Sequence, residues 1–139
     1  MQINEITGAV IDSAMKVHTA LGPGLLENTY EACLVYELRK RGLRTAAQFP
    51  LPVRYGDARI DLGYRIDIMV EDTVVVEIKS VDAVTPVHQA QLLTYLKLSG
   101  KYVGLLINFN VVHLRDGIKR MVNGEPPRSS VSPVSSVVA

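Results

Sequence analysis

The period of the hydrophobic pattern changes at Gly42, and this change restricts the fold more than any other feature. Before Gly42, apolar residues recur every three to four positions, as in amphipathic helices. The pattern predicts helices over Ile3–Leu21 and residues 27–41, separated by Gly22-Pro23-Gly24, because proline cannot continue a helical hydrogen-bond ladder. After Gly42 the pattern indicates strands, so we expect two helices followed by a β-rich part.

Alternating apolar and polar residues predict three successive strands after Gly42, over residues 44–55, 64–70 and 73–80. Pro50 and Pro52 place the first strand at a sheet edge, because proline donates no hydrogen bond to a neighbouring strand. In the second strand the alternation puts four apolar side chains on one face: Tyr64, Ile66, Ile68 and Val70.

A third helix and two further strands complete the pattern. The helix is expected over Pro86–Ser99, because Thr85 is a favourable N-cap and proline suits the first turn. The apolar run over residues 102–109 predicts a central strand, and residues 111–122 predict another. The order α-α-β-β-β-α-β-β indicates an α/β (α+β) fold, with a mixed central sheet flanked by helices.

Composition restricts the class of protein. The 139 residues suffice for one domain, expected over residues 1–123, while residues 124–139 have the composition of a disordered tail. Charged residues interrupt the N-terminal segment and no apolar run can cross a bilayer, so we expect neither a targeting signal nor a membrane role. The single cysteine, Cys33, cannot form an internal disulfide, which fits a cytoplasmic protein. The net charge is only +1, without the basic excess typical of proteins that bind nucleic acid mainly through its phosphates.

Residues 73–80 contain the side chains with the clearest chemical role. Glu77 and Lys79 project from the same face of this strand, about 7 Å apart. An acid and a base in so apolar a strand need partners or a wet cleft, because an unpaired buried charge is costly. They form either a cross-strand ion pair on a solvated face or part of a site.

The position of Asp67 helps to distinguish these alternatives. If residues 70 and 74 pair across a three-residue connection, Asp67 lies directly opposite Glu77, with the Cβ atoms about 5 Å apart. Two carboxylates this close repel each other unless a cation lies between them. A two-residue turn would instead put them on opposite faces of the sheet.

Two oxygen ligands without a His or Cys cluster suit a hard cation, Mg²⁺ or Mn²⁺, better than zinc. The backbone carbonyl of Ile78 is a natural third ligand. Lys79 would then orient or deprotonate the attacking water, or stabilise negative charge on a phosphate. These groups together suit metal-assisted hydrolysis of phosphodiester bonds.

Asp67 followed by Glu77-Ile78-Lys79 on the next strand resembles the D-x(n)-E-x-K core of the PD-(D/E)xK nuclease superfamily. Residues 24–30, GLLENTY, resemble the GxxExxY signature of one family in that superfamily. Gln91 and Tyr95 match the glutamine and tyrosine of that family's next helix. The segment Leu106-Ile107-Asn108-Phe109 resembles its late strand, and the resemblance covers about residues 3–123.

The resemblance implies a restriction-endonuclease-like fold and a nuclease activity on DNA or RNA. It also implies that Glu27 reaches the metal site, directly or through water, and that Gln91 and Tyr95 line the cleft. From the residues alone, Glu27 equally fits a carboxylate favoured by the helix dipole, and Tyr95 a core residue. Arg65 fits either a phosphate contact or a salt bridge to one of the acids.

The sequence supports two hypotheses about function. The first is a metal-dependent nuclease with Glu27, Asp67, Glu77 and Lys79 in its active site. The second is a binding or regulatory module that retains the fold without cleaving nucleic acid, because the charge is nearly neutral and no DNA-binding appendage is recognisable. The edge segment over residues 49–55 and the first helix each offer a surface on which a second copy of the chain can pack. The sequence therefore leaves open whether the chain forms a homodimer.

Overall fold

The computed structural model describes residues 1–127 of the chain. It contains three α-helices, one short 3₁₀ helix and seven strands, in this order: α1 Ile3–Leu21, α2 Glu27–Lys40, β1 Thr45–Pro50, β2 Val53–Tyr55, β3 Ala58–Ile60, β4 Arg65–Val70, β5 Val74–Lys79, α3 Pro86–Ser99, β6 Val103–Asn108, the 3₁₀ helix Leu114–Gly117 and β7 Ile118–Val122. The three predicted helices are confirmed, the second ending one residue early.

Five strands form the central sheet in the order β1-β4-β5-β6-β7. Within residues 1–127 only β5 and β6 run parallel, and α3 makes the crossover connection that a parallel pair requires. All other neighbours are antiparallel. The predicted mixed sheet flanked by helices is therefore confirmed.

The sheet separates two apolar layers. Helices α1 and α2 pack on one face, over side chains that include Ile68, Val76 and Ile78. Helix α3 packs on the other face, where Met69 and Val75 are buried. This alternation along β5 directs the odd-numbered side chains, and with them Glu77, away from α1 and α2.

Helix α3 lies close to β6 because Gly104 has no side chain. A Cβ atom at this position would lie 2.8 Å from Cδ1 of Leu92 on the helix. Leu92 and Leu96 are both fully buried at this contact. The packing holds α3, and with it Tyr95, against the sheet.

The prediction of one strand over residues 44–55 was wrong. Strand β1 ends at Pro50, and β2 pairs with β3 in a separate two-stranded sheet. The physical reason lies in Pro50 and Pro52, which have no N–H group to continue the ladder. Between them, Leu51 is buried and its N–H donates to the Tyr64 carbonyl at 2.9 Å.

The prediction that Ile66 shares a face with Ile68 and Val70 was also wrong. Ile66 is fully buried in the layer under α3, whereas the other two lie under α1 and α2. The register passes from the Ala47–Ile68 pair to the Phe49–Ile66 pair without a pair between them. At this position Gln48 has a φ of +54°, and the regular alternation of β4 is interrupted.

Beyond β7 the described chain contains neither helix nor strand. Of the tail predicted over residues 124–139, residues 128–139 lie outside the described residues. Across residues 1–127, no helix combines the length and the apolar character needed to span a bilayer.

Candidate metal centre

The candidate centre lies where β4 and β5 separate. The two strands pair through Val70–Val74, Met69–Val75 and Ile68–Val76, which confirms the predicted three-residue connection. The ladder ends there, one position before Asp67 and Glu77, whereas β5 remains paired with β6 as far as Lys79. The two acids therefore face each other across a gap between neighbouring strands.

Each of these carboxylates binds the backbone of the other strand. The N–H of Asp67 donates to Oε2 of Glu77 at 2.9 Å, and the N–H of Ile78 donates to Oδ2 of Asp67 at 2.8 Å. Where the two strands separate, their backbone N–H groups therefore donate to side chains instead of to the neighbouring strand. This exchange fixes the position of both carboxylates.

Burial makes the ionised form of Glu77 costly. Only 5% of this residue is exposed, and burial, followed by the charge of Asp67, raises the pKa of Glu77 to about 8. Burial also raises the pKa of Asp67, against the hydrogen bond from Ile78 and the charge of Lys79. Without a cation Glu77 therefore keeps its proton at neutral pH, and a bound cation would stabilise the ionised form of both acids.

Lys79 is the last residue of β5 and is half-buried. In the described part of the chain it forms no ion pair within 4.0 Å with either acid, which excludes the alternative of a simple cross-strand ion pair. Its charge nevertheless lowers the pKa of both Asp67 and Glu77. The amine lies within electrostatic reach of the acids without being bound to one of them.

Glu27 begins α2 and connects it to the end of β5. Its Oε2 accepts a hydrogen bond from the N–H of Ser80 at 3.2 Å, and the Ser80 hydroxyl donates to the Leu25 carbonyl at 2.6 Å. The charge of Glu27 contributes to raising the pKa of Asp67. The helix start is thus fixed beside the candidate centre.

Sequence reasoning missed Glu31 and Gln48. Nε2 of Gln48 donates to Oε1 of Glu31 at 2.8 Å. The pKa of Glu31 is raised by burial, against the hydrogen bond from Gln48, and further by the charge of Asp67. The available signal was spacing, because Glu27 and Glu31 are four apart and share a helix face.

Asn108 fixes the chain after Lys79. It is 3% exposed and pairs with Lys79 in the β5–β6 ladder. Its Oδ1 accepts from the Val81 N–H at 3.1 Å and its Nδ2 donates to the Val81 carbonyl at 2.9 Å. The sequence placed Asn108 in a late-strand pattern, and the structure gives its side chain this positioning contact.

The remaining predicted residues differ in their exposure and in their contacts. Tyr95, on α3, is buried in the layer between this helix and the sheet. Its pKa is raised by burial and then by the charge of Glu77. Gln91 is exposed one turn earlier on the helix. Arg65 is exposed and donates to the Tyr64 carbonyl at 2.9 Å. Within residues 1–127 it forms no salt bridge to either acid.

The donors at the centre suit a hard cation. Across residues 1–127, no three His, Cys, Asp or Glu side chains form a group that could hold a metal ion, so Glu27 does not complete a three-carboxylate set. Glu77 supplies a buried carboxylate and Asp67 a half-buried one, and Mg²⁺ commonly takes one or two carboxylates and fills its other positions with water and phosphate. The residues present therefore fit a divalent cation.

The comparisons with known proteins agree with this geometry. Residues 4–121 match the family model of the PD-(D/E)XK nuclease superfamily, a range that contains both acids and Lys79. No curated protein and no solved structure matches the chain. Nucleases of this superfamily generally use divalent metals. The chain belongs to the PD-(D/E)XK nuclease superfamily.

Proposed function

We propose that this protein is a Mg²⁺- or Mn²⁺-dependent nuclease that hydrolyses phosphodiester bonds of DNA or RNA. The observation that carries the proposal is the reciprocal binding of Asp67 and Glu77 to each other's strand. Holding two carboxylates together, one buried and one half-buried, is unfavourable without a cation. Such an arrangement is therefore better suited to binding a metal than to stabilising the sheet.

Asp67 and Glu77 would hold the metal through their carboxylates, with the Ile78 carbonyl as a third ligand and Glu27 assisting through water. A bound divalent cation would polarise the phosphate and lower the pKa of a bound water. The bond from the Ser80 N–H supports the role of Glu27, because it fixes this side chain at the end of β5. Asn108 orients the chain that follows Lys79.

Lys79 supplies the positive charge of the site. Its amine is not engaged in an ion pair with another described residue, so it is available to stabilise negative charge on the phosphate or to orient the attacking water. Tyr95 and Gln91, four residues apart on α3, would line the cleft. Arg65, the exposed first residue of β4, would contact a phosphate.

We assign the chain to the GxxExxY family within the superfamily. The GLLENTY segment over residues 24–30 supports this assignment, since its glutamate, Glu27, binds the Ser80 N–H at the end of β5. The free thiol of Cys33 supports a cytoplasmic protein. Asn123 closes the domain proposed over residues 1–123, because its N–H donates to the Tyr102 carbonyl at 2.7 Å.

A homodimer is part of the proposal, because β1 is an edge strand of the sheet and offers unpaired backbone groups to a second copy. Light scattering on the purified chain measures this directly. A mass equal to one chain at all concentrations would remove the dimer from the proposal without affecting the active site.

The proposed activity is tested with plasmid, single-stranded DNA and RNA, each incubated with Mg²⁺, Mn²⁺ or EDTA. We expect cleavage with metal, and its loss in Asp67→Asn, Glu77→Gln and Lys79→Met. Asp12→Asn is the matched control, because Asp12 is an exposed acid on α1. Cleavage that persists in the three site variants would contradict the assigned roles.

The net charge of +1 favours one alternative, a binding or regulatory module that holds the metal without cleaving nucleic acid. Calorimetric titration with Mn²⁺ separates the two functions. Metal binding that depends on Asp67 and Glu77, without cleavage of any of the three substrates, would favour the module.

A further inference from the structure

An arm, formed by residues 52–64, extends from the domain beside the candidate metal centre. Its strands β2 and β3 pair with each other and not with the central sheet. The arm is held at its base, where Leu51 is buried and donates to the Tyr64 carbonyl. Every residue from 54 to 65 is exposed.

The arm carries two arginines in an unfavourable arrangement. Arg54 and Arg59 are direct cross-strand partners, so both side chains project from the same face. Like charges directly opposite each other destabilise a strand pair, and an isolated two-stranded hairpin is only marginally stable. Fold stability therefore does not explain this pair.

The acids of the arm do not neutralise these arginines. Asp57 lies in the turn between the strands, and Oδ1 of Asp61 accepts a hydrogen bond from the Gly63 N–H at 3.1 Å. In the part of the chain that the structure describes, neither arginine forms an ion pair within 4.0 Å. Two guanidinium groups thus face solvent together.

The base of the arm is continuous with the candidate centre. The ring of Tyr64 lies edge-on to the ring of Tyr95, with centroids 6.5 Å apart. The charges of Glu77 and Asp67 both act on Tyr95. From Tyr64 the chain enters β4, which reaches Asp67 three residues later. A polymer bound to the arm would therefore lie close to the two acids.

We propose that the arm binds the phosphodiester backbone of a nucleic acid through Arg54 and Arg59. The guanidinium group matches phosphate with two parallel hydrogen bonds, and two such groups on one face suit successive phosphates. A two-stranded ribbon also fits the major groove of a duplex. The role rests on the proposed function, since it holds the strand to be cut across the metal centre.

This role also explains how a chain of charge +1 engages a polyanion. Two of its 15 basic residues are presented together on one face of a projecting element. The opposite face of the arm exposes 77% of Tyr55, an aromatic surface on which a base can stack.

Binding is measured separately from cleavage, by fluorescence anisotropy in EDTA with labelled single-stranded DNA, duplex DNA and RNA. The test variant is Arg54→Thr/Arg59→Thr, because threonine favours strands and the substitution removes the repulsion. The matched control is Arg115→Thr/Lys119→Thr, which removes two exposed charges at the other edge of the sheet. Arg115 lies in the 3₁₀ helix before β7, and Lys119 lies in β7.

We expect the arm variant to bind roughly tenfold more weakly and to lose roughly 1.4–1.8 from the slope of log K against log salt concentration, as for two lost phosphate contacts. The control should bind like the original chain. The oligonucleotide whose affinity falls most identifies the substrate class. Thermal unfolding should show the arm variant at least as stable as the original chain.

Different results would contradict the proposed role of the arm and the proposed nuclease activity. Equal binding by the arm variant and the control, or no binding of the original chain to any of the three oligonucleotides, would overturn the role of the arm. If the original chain cleaves while the arm variant binds normally, the nuclease assignment stands and the arm does not. Arm-dependent binding without cleavage supports the arm and rejects the nuclease.

Discussion

The backbone N–H of Asp67 donates to the carboxylate of Glu77, and the N–H one residue beyond Glu77 donates back to the carboxylate of Asp67. This exchange replaces the next pair of the β4–β5 ladder, which stops at Ile68–Val76. A sheet that opens at two acids loses ladder hydrogen bonds and places two acidic groups close together. The metal-free centre is therefore locally unstable.

Glu77→Gln should stabilise the metal-free protein while removing metal binding. Glutamine keeps an acceptor for the Asp67 N–H but carries no charge to bury next to Asp67. We expect a gain of roughly 1–3 kcal/mol, or a rise of a few degrees in Tm. Thermal unfolding in EDTA measures it. A lower Tm in the variant would show that the carboxylate stabilises the fold.

The stability of the metal-free protein should fall as the pH rises from about 4.5 to about 8. The pKa of Glu77 is raised from 4.5 to about 8 in the folded state, so in this range the folded chain keeps a proton that the unfolded chain has released. Stability falls with pH wherever the folded state binds more protons. Urea unfolding in EDTA across this range measures the trend.

The same series on Glu77→Gln is the control for the pH dependence, because glutamine does not titrate. The decline between pH 4.5 and 8 should be markedly smaller in this variant. A decline of equal size in both proteins would assign the effect to other groups.

Glu27→Gln should weaken Mn²⁺ binding by about tenfold, far less than Asp67→Asn. Glutamine can still accept from the Ser80 N–H, so the helix start stays in place while the charge near Asp67 is lost. Groups that orient a metal's ligands without binding the metal themselves typically contribute ten- to a hundredfold to metal affinity. Calorimetric titration gives the ratio. Equal losses in Glu27→Gln and Asp67→Asn would instead make Glu27 a direct ligand.

Asn108→Ala should lower kcat and destabilise the fold by about 2 kcal/mol. The side chain is buried and bonds both the N–H and the carbonyl of Val81, so its removal leaves buried backbone groups unsatisfied. Asn108→Asp keeps the acceptor for the Val81 N–H but turns an oxygen toward the Val81 carbonyl and buries a charge, so it should also lower both properties. Urea unfolding and single-substrate kinetics measure the two effects, and unchanged kcat in a folded Asn108→Ala variant would exclude positioning of Lys79.

Much of the fold was predictable because periodicity reflects burial directly. The α1 helix and the β4–β5 register follow from apolar spacing and from a three-residue connection. The register alone placed Asp67 opposite Glu77. It did not reveal that the strands separate there, since that depends on side chains competing with backbone groups for hydrogen bonds.

The features that were missed depend on backbone distortion and on contacts between distant segments. The φ of +54° at Gln48 follows from no residue preference, and it accompanies the shift of Ile66 to the other face. Glu31 enters the site through Gln48, which is 17 residues away in the chain. The sequence did not predict the arm, because three-residue strands are too short to show an alternating hydrophobic pattern.

Anomalous diffraction from crystals grown with manganese shows directly whether Asp67 and Glu77 bind a metal ion together. We expect one strong peak within about 2.5 Å of carboxylate oxygens of both Asp67 and Glu77. The peak should be absent in Asp67→Asn/Glu77→Gln crystals grown the same way. No peak between the two acids in the original chain at saturating manganese, or a peak bound only by other residues, would contradict the account.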